Sequence, residues 1–122
     1  MAFSAVLDMP PSVNAMYANR RQKPGAKSKP GRVKTPTYRR WGDAAIKSIW
    51  WQVTAAERIG GKIAVIILLP EKTRLDIDNA IKPILDALVA SGRIDDDRNV
   101  IDLSVGKVRT ESTVLVRVTG VA

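Results

Sequence analysis

The chain has 122 residues, 45% of them hydrophobic, which suits one compact domain with its own core. It contains no cysteine and no histidine, so disulfides, thiolate or imidazole metal ligands and Ser-His or Cys-His nucleophile pairs are excluded. Any metal must therefore be held by oxygen, which favours magnesium, manganese or calcium. The formal net charge of +8 favours anionic partners, of which nucleic acid is the commonest.

Neither a membrane nor a secreted location is predicted. The longest purely apolar run, residues 63–69, is far shorter than the roughly 20 residues that a membrane helix needs. The N-terminus has no basic region and reaches Asp8 almost at once, so we expect no signal peptide and a cytoplasmic protein. No membrane partner and no small-molecule cofactor are expected.

The first half of the chain predicts a strand, a helix and a second strand. Residues 2–7 predict a short strand, and two prolines place a turn at residues 8–14. Residues 37–56 predict a helix capped by Thr37, because apolar residues recur at three- and four-residue spacing. Residues 62–70 are apolar on both faces, which indicates a central, covered strand.

The second half predicts a helix and two more strands. Residues 77–91 carry an apolar stripe at helical spacing, with Pro83 in about the first turn, where its missing N–H costs little. Residues 100–108 and 113–121 alternate apolar with polar and predict an antiparallel hairpin. The order β-α-β-α-β-β predicts an α+β fold for residues 1–122, a single domain with a mixed or antiparallel sheet of about four strands and two packed helices.

Charge is segregated along the chain. No acid occurs between Met9 and Gly42, and this stretch contains a predicted flexible, basic loop at about residues 18–36. Seven of the 12 acids lie between Asp76 and Asp102. The loop is either plain solvated surface or an arm that contacts phosphates and becomes ordered on nucleic acid. The candidate DNA-binding residues are basic residues of this loop and one that precedes the second helix: Arg20, Arg21, Lys23, Lys27, Lys29, Arg32, Lys34 and Arg74.

The stretch RLDIDNAIK, residues 74–82, places two carboxylates at the start of the second helix. Asp76 and Asp78 are either helix-capping acids, worth about 0.5–2 kcal/mol, or metal ligands. Lys82 lies four residues after Asp78, so it either forms an ion pair of about 0.2–0.5 kcal/mol or contacts a scissile phosphate. Asp86, in the helix interior, is expected to bond a backbone group.

A second group of acids, Asp95, Asp96 and Asp97, precedes the next strand. Its simpler interpretation is a polar loop whose last acid turns the chain. Three adjacent carboxylates repel one another, however, and a divalent cation would relieve that repulsion. The sequence alone does not show that the two groups of acids meet. If they do, they form an oxygen-only site of the kind that magnesium prefers.

These motifs resemble the RusA family of Holliday junction resolvases, small dimeric endonucleases of bacteria and their phages or prophages. The resemblance covers most of the chain. It rests on PPSVNAMY (residues 10–17), RLDIDNAIKPILDAL (residues 74–88) and GRIDDDRNVIDLSV (residues 92–105). Together these stretches are specific, whereas any one of them alone would be weak.

The resemblance implies that Asp76, Asp78 and Asp97 are catalytic metal ligands, with Asp96 as the alternative acid of its pair and Lys82 as a catalytic lysine. The implied cofactor is Mg²⁺, for which Mn²⁺ would substitute. The implied activity is resolution of four-way junctions by a homodimer, through paired symmetric nicks that leave 5′-phosphate and 3′-hydroxyl ends, in DNA recombination and repair. The alternatives are a non-catalytic basic DNA-binding protein and a nuclease that prefers forks, flaps or other branched DNA.

Overall fold

A computed structural model describes residues 1–12, 17–19, 32–73, 75–109 and 112–121. These residues form one α+β domain with a four-stranded mixed sheet and two helices, so the predicted fold class is confirmed. The strands are β1 (Ala2–Asp8), β2 (Tyr17–Asn19), β3 (Arg32–Lys34), β4 (Ile63–Pro70), β5 (Val100–Val108) and β6 (Thr113–Gly120), and the helices are α1 (Pro36–Gln52) and α2 (Ile77–Ala90). None of the described helices is long and apolar enough to span a bilayer.

The main sheet has the strand order β1-β6-β4-β5. Strand β6 is antiparallel to both β1 and β4, whereas β5 runs parallel to β4. The predicted β5–β6 hairpin is therefore wrong, although both strands exist. Strand β6 lies between β1 and β4, and it buries Val114, Val116 and Val118 completely. Alternation of apolar and polar residues predicts a strand but does not predict its neighbour.

Helix α1 begins and ends earlier than predicted. The Oγ1 atom of Thr35, not of Thr37, accepts the capping hydrogen bond, from the N–H of Tyr38 at 3.2 Å. Pro36 takes the first helical position, where its fixed φ is favourable and no N–H is needed. The helix stops at Gln52, and residues 55–57 form a separate 3-10 turn.

Helix α2 connects the parallel strands β4 and β5 and buries Ala80, Ile84 and Leu88 against the sheet. Pro83 is the seventh residue of this helix rather than part of its first turn. Its ring therefore removes a helical hydrogen bond to the carbonyl of Asn79, and burial of the apolar stripe offsets that loss.

The helices cover one face of the sheet. The buried residues of β4, such as Val65 and Ile67, alternate with partly exposed ones that face away from the helices. Val6, Ile66 and Leu115 on that second face are all substantially exposed. The core therefore lies in a single layer between the sheet and the two helices.

The two ends of the predicted basic loop are paired. Strands β2 and β3 form a separate antiparallel ribbon, with Tyr17 opposite Lys34. Residues 20–31 between the two strands lie outside the described part of the chain. The prediction that they are flexible stays a prediction.

Candidate active site

Asp76 and Asp78 lie where the chain leaves β4 and enters α2. Asp76 occupies the capping position, but its side chain accepts no capping hydrogen bond, and only its carbonyl accepts from the N–H of Asn79 at 3.1 Å. Both aspartates are exposed. No other described residue forms a hydrogen bond or ion pair with either carboxylate. The side-chain capping interpretation therefore fails for Asp76, and no described side chain neutralises either carboxylate.

The approach to the helix is held by other groups. The N–H of Thr73 donates to the carbonyl of Pro70 at 3.1 Å, and the N–H of Leu75 donates to Oγ1 of Thr73 at 3.1 Å. Leu75 is buried. This turn fixes the backbone just before Asp76 without using its side chain.

Lys82 is exposed on the second turn of α2. Its Nζ atom lies 3.4 Å from Oδ2 of Asp86, so the lysine pairs forward along the helix and not backward with Asp78. The Lys82 side chain is 69% exposed, which makes the pair a weak one that a phosphate can displace. The predicted backbone bond of Asp86 is not found among the described residues, where its recorded partner is Lys82.

Two of the three acids before β5 are already neutralised. Asp95 forms an ion pair with Arg58 and accepts from the N–H of Gly61 at 3.3 Å. Asp96 caps a 3-10 turn over Asp97–Asn99, accepting from the backbone N–H of Arg98 at 3.0 Å and from its guanidinium at 3.1 Å. These bonds lower the pKa of the Asp96 carboxyl from 3.8 to about 2. Two arginines therefore pair with two of the three acids, which relieves part of the repulsion that we expected here.

Asp97 is exposed and lines an open cleft of about 400 Å³. The cleft is lined by Lys34, Asp86, Val89, Ala90, Asp96 and Asp97. Lys34 also lies over the Tyr38 ring, with its Nζ atom 5.2 Å from the ring centre. The last candidate DNA-binding residue of the basic loop is thus held beside Asp97. Asp86 also lines this cleft, which the sequence analysis did not predict. Its position four residues after Lys82 was the sequence signal for its ion pair with that lysine.

The two groups of acids lie at opposite ends of α2. Asp76 and Asp78 are at its start, whereas Asp97 shares a cleft with Val89 and Ala90 near its end. At about 1.5 Å per residue, the helix separates the two groups by roughly 16 Å. Among the described residues of one chain, no three acidic side chains are close enough to hold a metal ion together. One chain therefore brings Asp97 close to Asp96 and leaves it far from Asp76 and Asp78.

Most of the candidate DNA-binding residues cannot be placed. Arg32 opens β3, and Lys34 closes it beside the cleft. The remaining ones lie outside the described residues: Arg20, Arg21, Lys23, Lys27, Lys29 and Arg74. Their role stays a prediction.

The described residues thus place two exposed carboxylates at a helix start and one lysine of the basic loop at an acidic cleft. The family model described as "Endodeoxyribonuclease RusA" matches residues 9–119. The chain is also 31% identical over 103 residues to the crossover junction endodeoxyribonuclease rusA of Enterobacteria phage HK97, an alignment that covers 84% of this chain and 80% of the phage protein. The chain belongs to the RusA family of endodeoxyribonucleases.

Proposed function

We propose that the protein is a structure-selective, metal-dependent endodeoxyribonuclease that resolves Holliday junctions in DNA recombination and repair. Family membership supports the endonuclease activity, and the name of the phage relative supports crossover junctions as the substrate. The single observation that carries the proposal is the pair Asp76 and Asp78, two exposed carboxylates at a helix start that no other described side chain neutralises.

The donor set fits a hard divalent cation. Asp76 and Asp78 offer anionic oxygens, and the chain has no histidine or cysteine to recruit a softer metal. Mg²⁺ is the expected ion, with Mn²⁺ as its substitute. When bound, the ion would polarise a phosphate oxygen and lower the pKa of a water molecule, which is the chemistry needed to leave 5′-phosphate and 3′-hydroxyl ends. Lys82, exposed one turn beyond Asp78, would exchange Asp86 for the scissile phosphate and hold it in place.

The third ligand is supplied by a second copy of the chain in our proposal. Asp97 is roughly 16 Å along α2 from Asp78 within one chain. A two-fold axis that passes beside the middle of α2, perpendicular to the helix, sets the two copies of the helix antiparallel, so that the start of one lies beside the end of the other. Asp97 is the favoured ligand over Asp96, because Asp96 is already bonded to Arg98. The homodimer then has two equivalent sites, which suits two symmetric nicks.

DNA binding is assigned to a different part of the chain from cleavage. The basic loop that Lys34 closes contacts the phosphate backbone, while the acidic site repels phosphate until a cation is present. We therefore expect junction binding to survive removal of the metal by EDTA and cleavage to stop. Loss of all junction binding in EDTA would contradict this division of labour.

The proposal is tested by incubating the protein with a synthetic four-way junction, a fork, a flap and a linear duplex of matched sequence, with Mg²⁺ and with EDTA. We expect paired nicks in the junction with Mg²⁺, ligatable ends, and no cleavage in EDTA. Faster cleavage of the fork or flap would assign the protein to the other branched substrates. Absence of cleavage from every substrate in Mg²⁺ and in Mn²⁺ would leave a DNA-binding protein without activity.

A further inference from the structure

Arg98 follows Asp97 directly in the chain, and both lie in the 3-10 turn Asp97–Asn99 that leads into β5. The Arg98 side chain is 84% exposed. Among the described residues, the hydrogen bonds and the ion pair of its guanidinium all go to Asp96. A long cationic side chain thus lies one residue from a candidate metal ligand, and the described fold covers little of it.

The two carboxylate oxygens of Asp96 bind different parts of Arg98. Oδ1 accepts from the backbone N–H of Arg98 at 3.0 Å, and this bond caps the turn. Oδ2 accepts from Nε and from Nη2 of the guanidinium, each at 3.1 Å. The guanidinium can therefore leave Oδ2 while the cap on Oδ1 stays in place. An ion pair between exposed groups is weak, so little opposes that departure.

The other arginines near this turn hold distant parts of the chain together. Nε of Arg93 donates to the Val53 carbonyl at 3.0 Å, across 40 residues of sequence. Arg58 pairs with Asp95 across 37 residues. The side-chain bonds of Arg98 span only two residues, so they join no separate segments. Of these three guanidinium groups, that of Arg98 is the one that can move without separating two parts of the fold.

We propose that Arg98 binds the scissile phosphate, exchanging Asp96 for a phosphate oxygen when DNA enters the site. Guanidinium N–H groups bind phosphate oxygens as they bind carboxylate oxygens, so one set of charge-assisted hydrogen bonds replaces another. Before DNA binds, Asp96 holds the guanidinium close to Asp97. This inference rests on the proposed function, because it takes Asp97 as a metal ligand.

The bound guanidinium stabilises charge during cleavage. Positioned cations stabilise the negative charge that is spread over the phosphoryl oxygens in the transition state of phosphoryl transfer. Lys82 reaches the phosphate from the side of Asp76 and Asp78, and Arg98 reaches it from the side of Asp97. Arg98 stays beside Asp97 wherever that ligand meets its metal, so the role does not depend on which chain supplies each ligand.

The alternative is that Arg98 is only the counter-ion of Asp96. In that role, loss of the guanidinium would act by leaving the Asp96 carboxylate unpaired next to Asp97. Neutralising Asp96 in the same protein would then restore cleavage. A guanidinium that binds phosphate is not replaced in this way, so the two roles predict different results for the double variant.

The test is single-turnover cleavage of a synthetic four-way junction in Mg²⁺ at saturating protein. We expect Arg98→Gln to lower the rate by about 10- to 100-fold and to change junction affinity in EDTA by less than about threefold. The melting temperature should stay near wild type, because the backbone N–H that Asp96 caps is still present. A rate for Arg98→Gln within about twofold of wild type would overturn the proposal.

Arg58→Gln is the matched control, since Arg58 also pairs with an acid of the run Asp95–Asp97. It should show the reverse pattern, a lower melting temperature with a near-normal cleavage rate at a temperature where it is folded. A loss of rate in Arg58→Gln equal to that in Arg98→Gln would overturn the proposal, because any change of charge in this loop would then suffice.

The combination of Arg98→Gln with Asp96→Asn separates phosphate binding from the counter-ion role. The asparagine keeps an oxygen that can accept the Arg98 backbone N–H, and the melting temperature checks that the turn is intact. We expect the double variant to cut no faster than Arg98→Gln. Recovery of the wild-type rate would overturn the proposal.

Arg98→Lys covers the case in which the double variant does not fold. Lysine keeps the charge beside Asp96 but has no guanidinium fork, so we expect a rate between those of wild type and Arg98→Gln. A full wild-type rate would leave only the counter-ion role. The outcomes also separate this inference from the proposed function. Junction cleavage by the wild type that no Arg98 variant slows removes only the inference, whereas a wild type that cuts no junction in Mg²⁺ or Mn²⁺ removes the proposed function itself.

Discussion

The two ends of helix α2 carry acids in opposite situations. At its start, Asp76 and Asp78 are exposed, and no described side chain pairs with them. Beyond its end, Asp95 is paired with Arg58 and Asp96 with Arg98. The difference shows that acids of one chain can be paired or left without a described partner. We take the acids without a described partner as the candidate metal ligands.

The largest expected effect comes from the start of the helix. Asp76→Asn or Asp78→Asn should lower the rate of metal-dependent junction cleavage by about 1,000-fold or more, because each removes an anionic metal ligand. Junction affinity in EDTA and the melting temperature should remain near wild type, since neither side chain has a partner among the described residues. Asp95→Asn is the control at the other end and should cut at a near-normal rate. Cleavage by Asp76→Asn within tenfold of wild type would remove its assigned role.

The second expectation separates the neighbouring acids Asp96 and Asp97. Asp97→Ala should abolish cleavage and leave the melting temperature near that of wild type. Asp96→Ala should lower the melting temperature, because it removes the cap of the 3-10 turn Asp97–Asn99. The pKa of Asp96 is lowered from 3.8 to about 2, so its stabilisation is complete above about pH 4 and is lost as the pH falls toward 2. Thermal unfolding across that pH range, with cleavage at neutral pH, checks both variants. The reverse pattern would make Asp96 the ligand.

A smaller effect is expected from the Lys82–Asp86 pair. Lys82→Ala should reduce the cleavage rate by about 10- to 100-fold and junction affinity by much less, because the lysine acts on the scissile phosphate. Asp86→Ala breaks the same ion pair but leaves the lysine, so its rate should be no lower than that of wild type. Single-turnover cleavage and a gel shift separate rate from affinity. Equal losses of cleavage rate in Lys82→Ala and Asp86→Ala would indicate that Lys82 only forms a structural ion pair.

The smallest effect is expected from the cationic side of the cleft. Lys34→Ala should weaken junction binding a few-fold and reduce the salt dependence of log K by about one ion, as loss of one phosphate contact predicts. Alanine substitutions elsewhere in the loop should have additive effects on junction affinity and its salt dependence, at Arg20, Arg21, Lys23 and Lys27. Lys47→Ala, on the exposed surface of α1, is the comparison. An unchanged salt slope for all the loop variants would remove the loop from the DNA interface.

The sequence predicted the parts of the fold that depend on local pattern. The apolar run of β4 and the stripe of α2 each appear within one residue of their predicted bounds. Strand pairing was predicted wrongly, because β5 and β6 alternate equally well and only the packed core decides which of them is central. The cap of α1 was misplaced by two residues, because Thr35 and Thr37 flank Pro36 and both are suitable caps.

The candidate site residues were proposed from residue type and their role stays a prediction, whereas their geometry could not be predicted. The position of Asp76 at the helix start follows from the helical stripe and was predicted. The arginines that neutralise Asp95 and Asp96 could not be assigned, since Arg58 is distant in the sequence and Arg98 could have pointed elsewhere. The separation of Asp97 from Asp76 depends on the parallel pairing of β5 with β4, which the predicted hairpin did not include.

The central claim, that each site takes Asp76 and Asp78 from one chain and Asp97 from another, is tested most directly by mixing two inactive variants. Asp76→Asn and Asp97→Asn proteins are purified separately and combined long enough for the chains to exchange, and nicking of a four-way junction is measured in Mg²⁺. Half of the dimers are then mixed and each has one intact site, so we expect about one quarter of the wild-type nicking rate, as single nicks. If each site were built within one chain, every site in the mixture would carry a defect, and nicking that stays at the level of the separate variants would contradict the account.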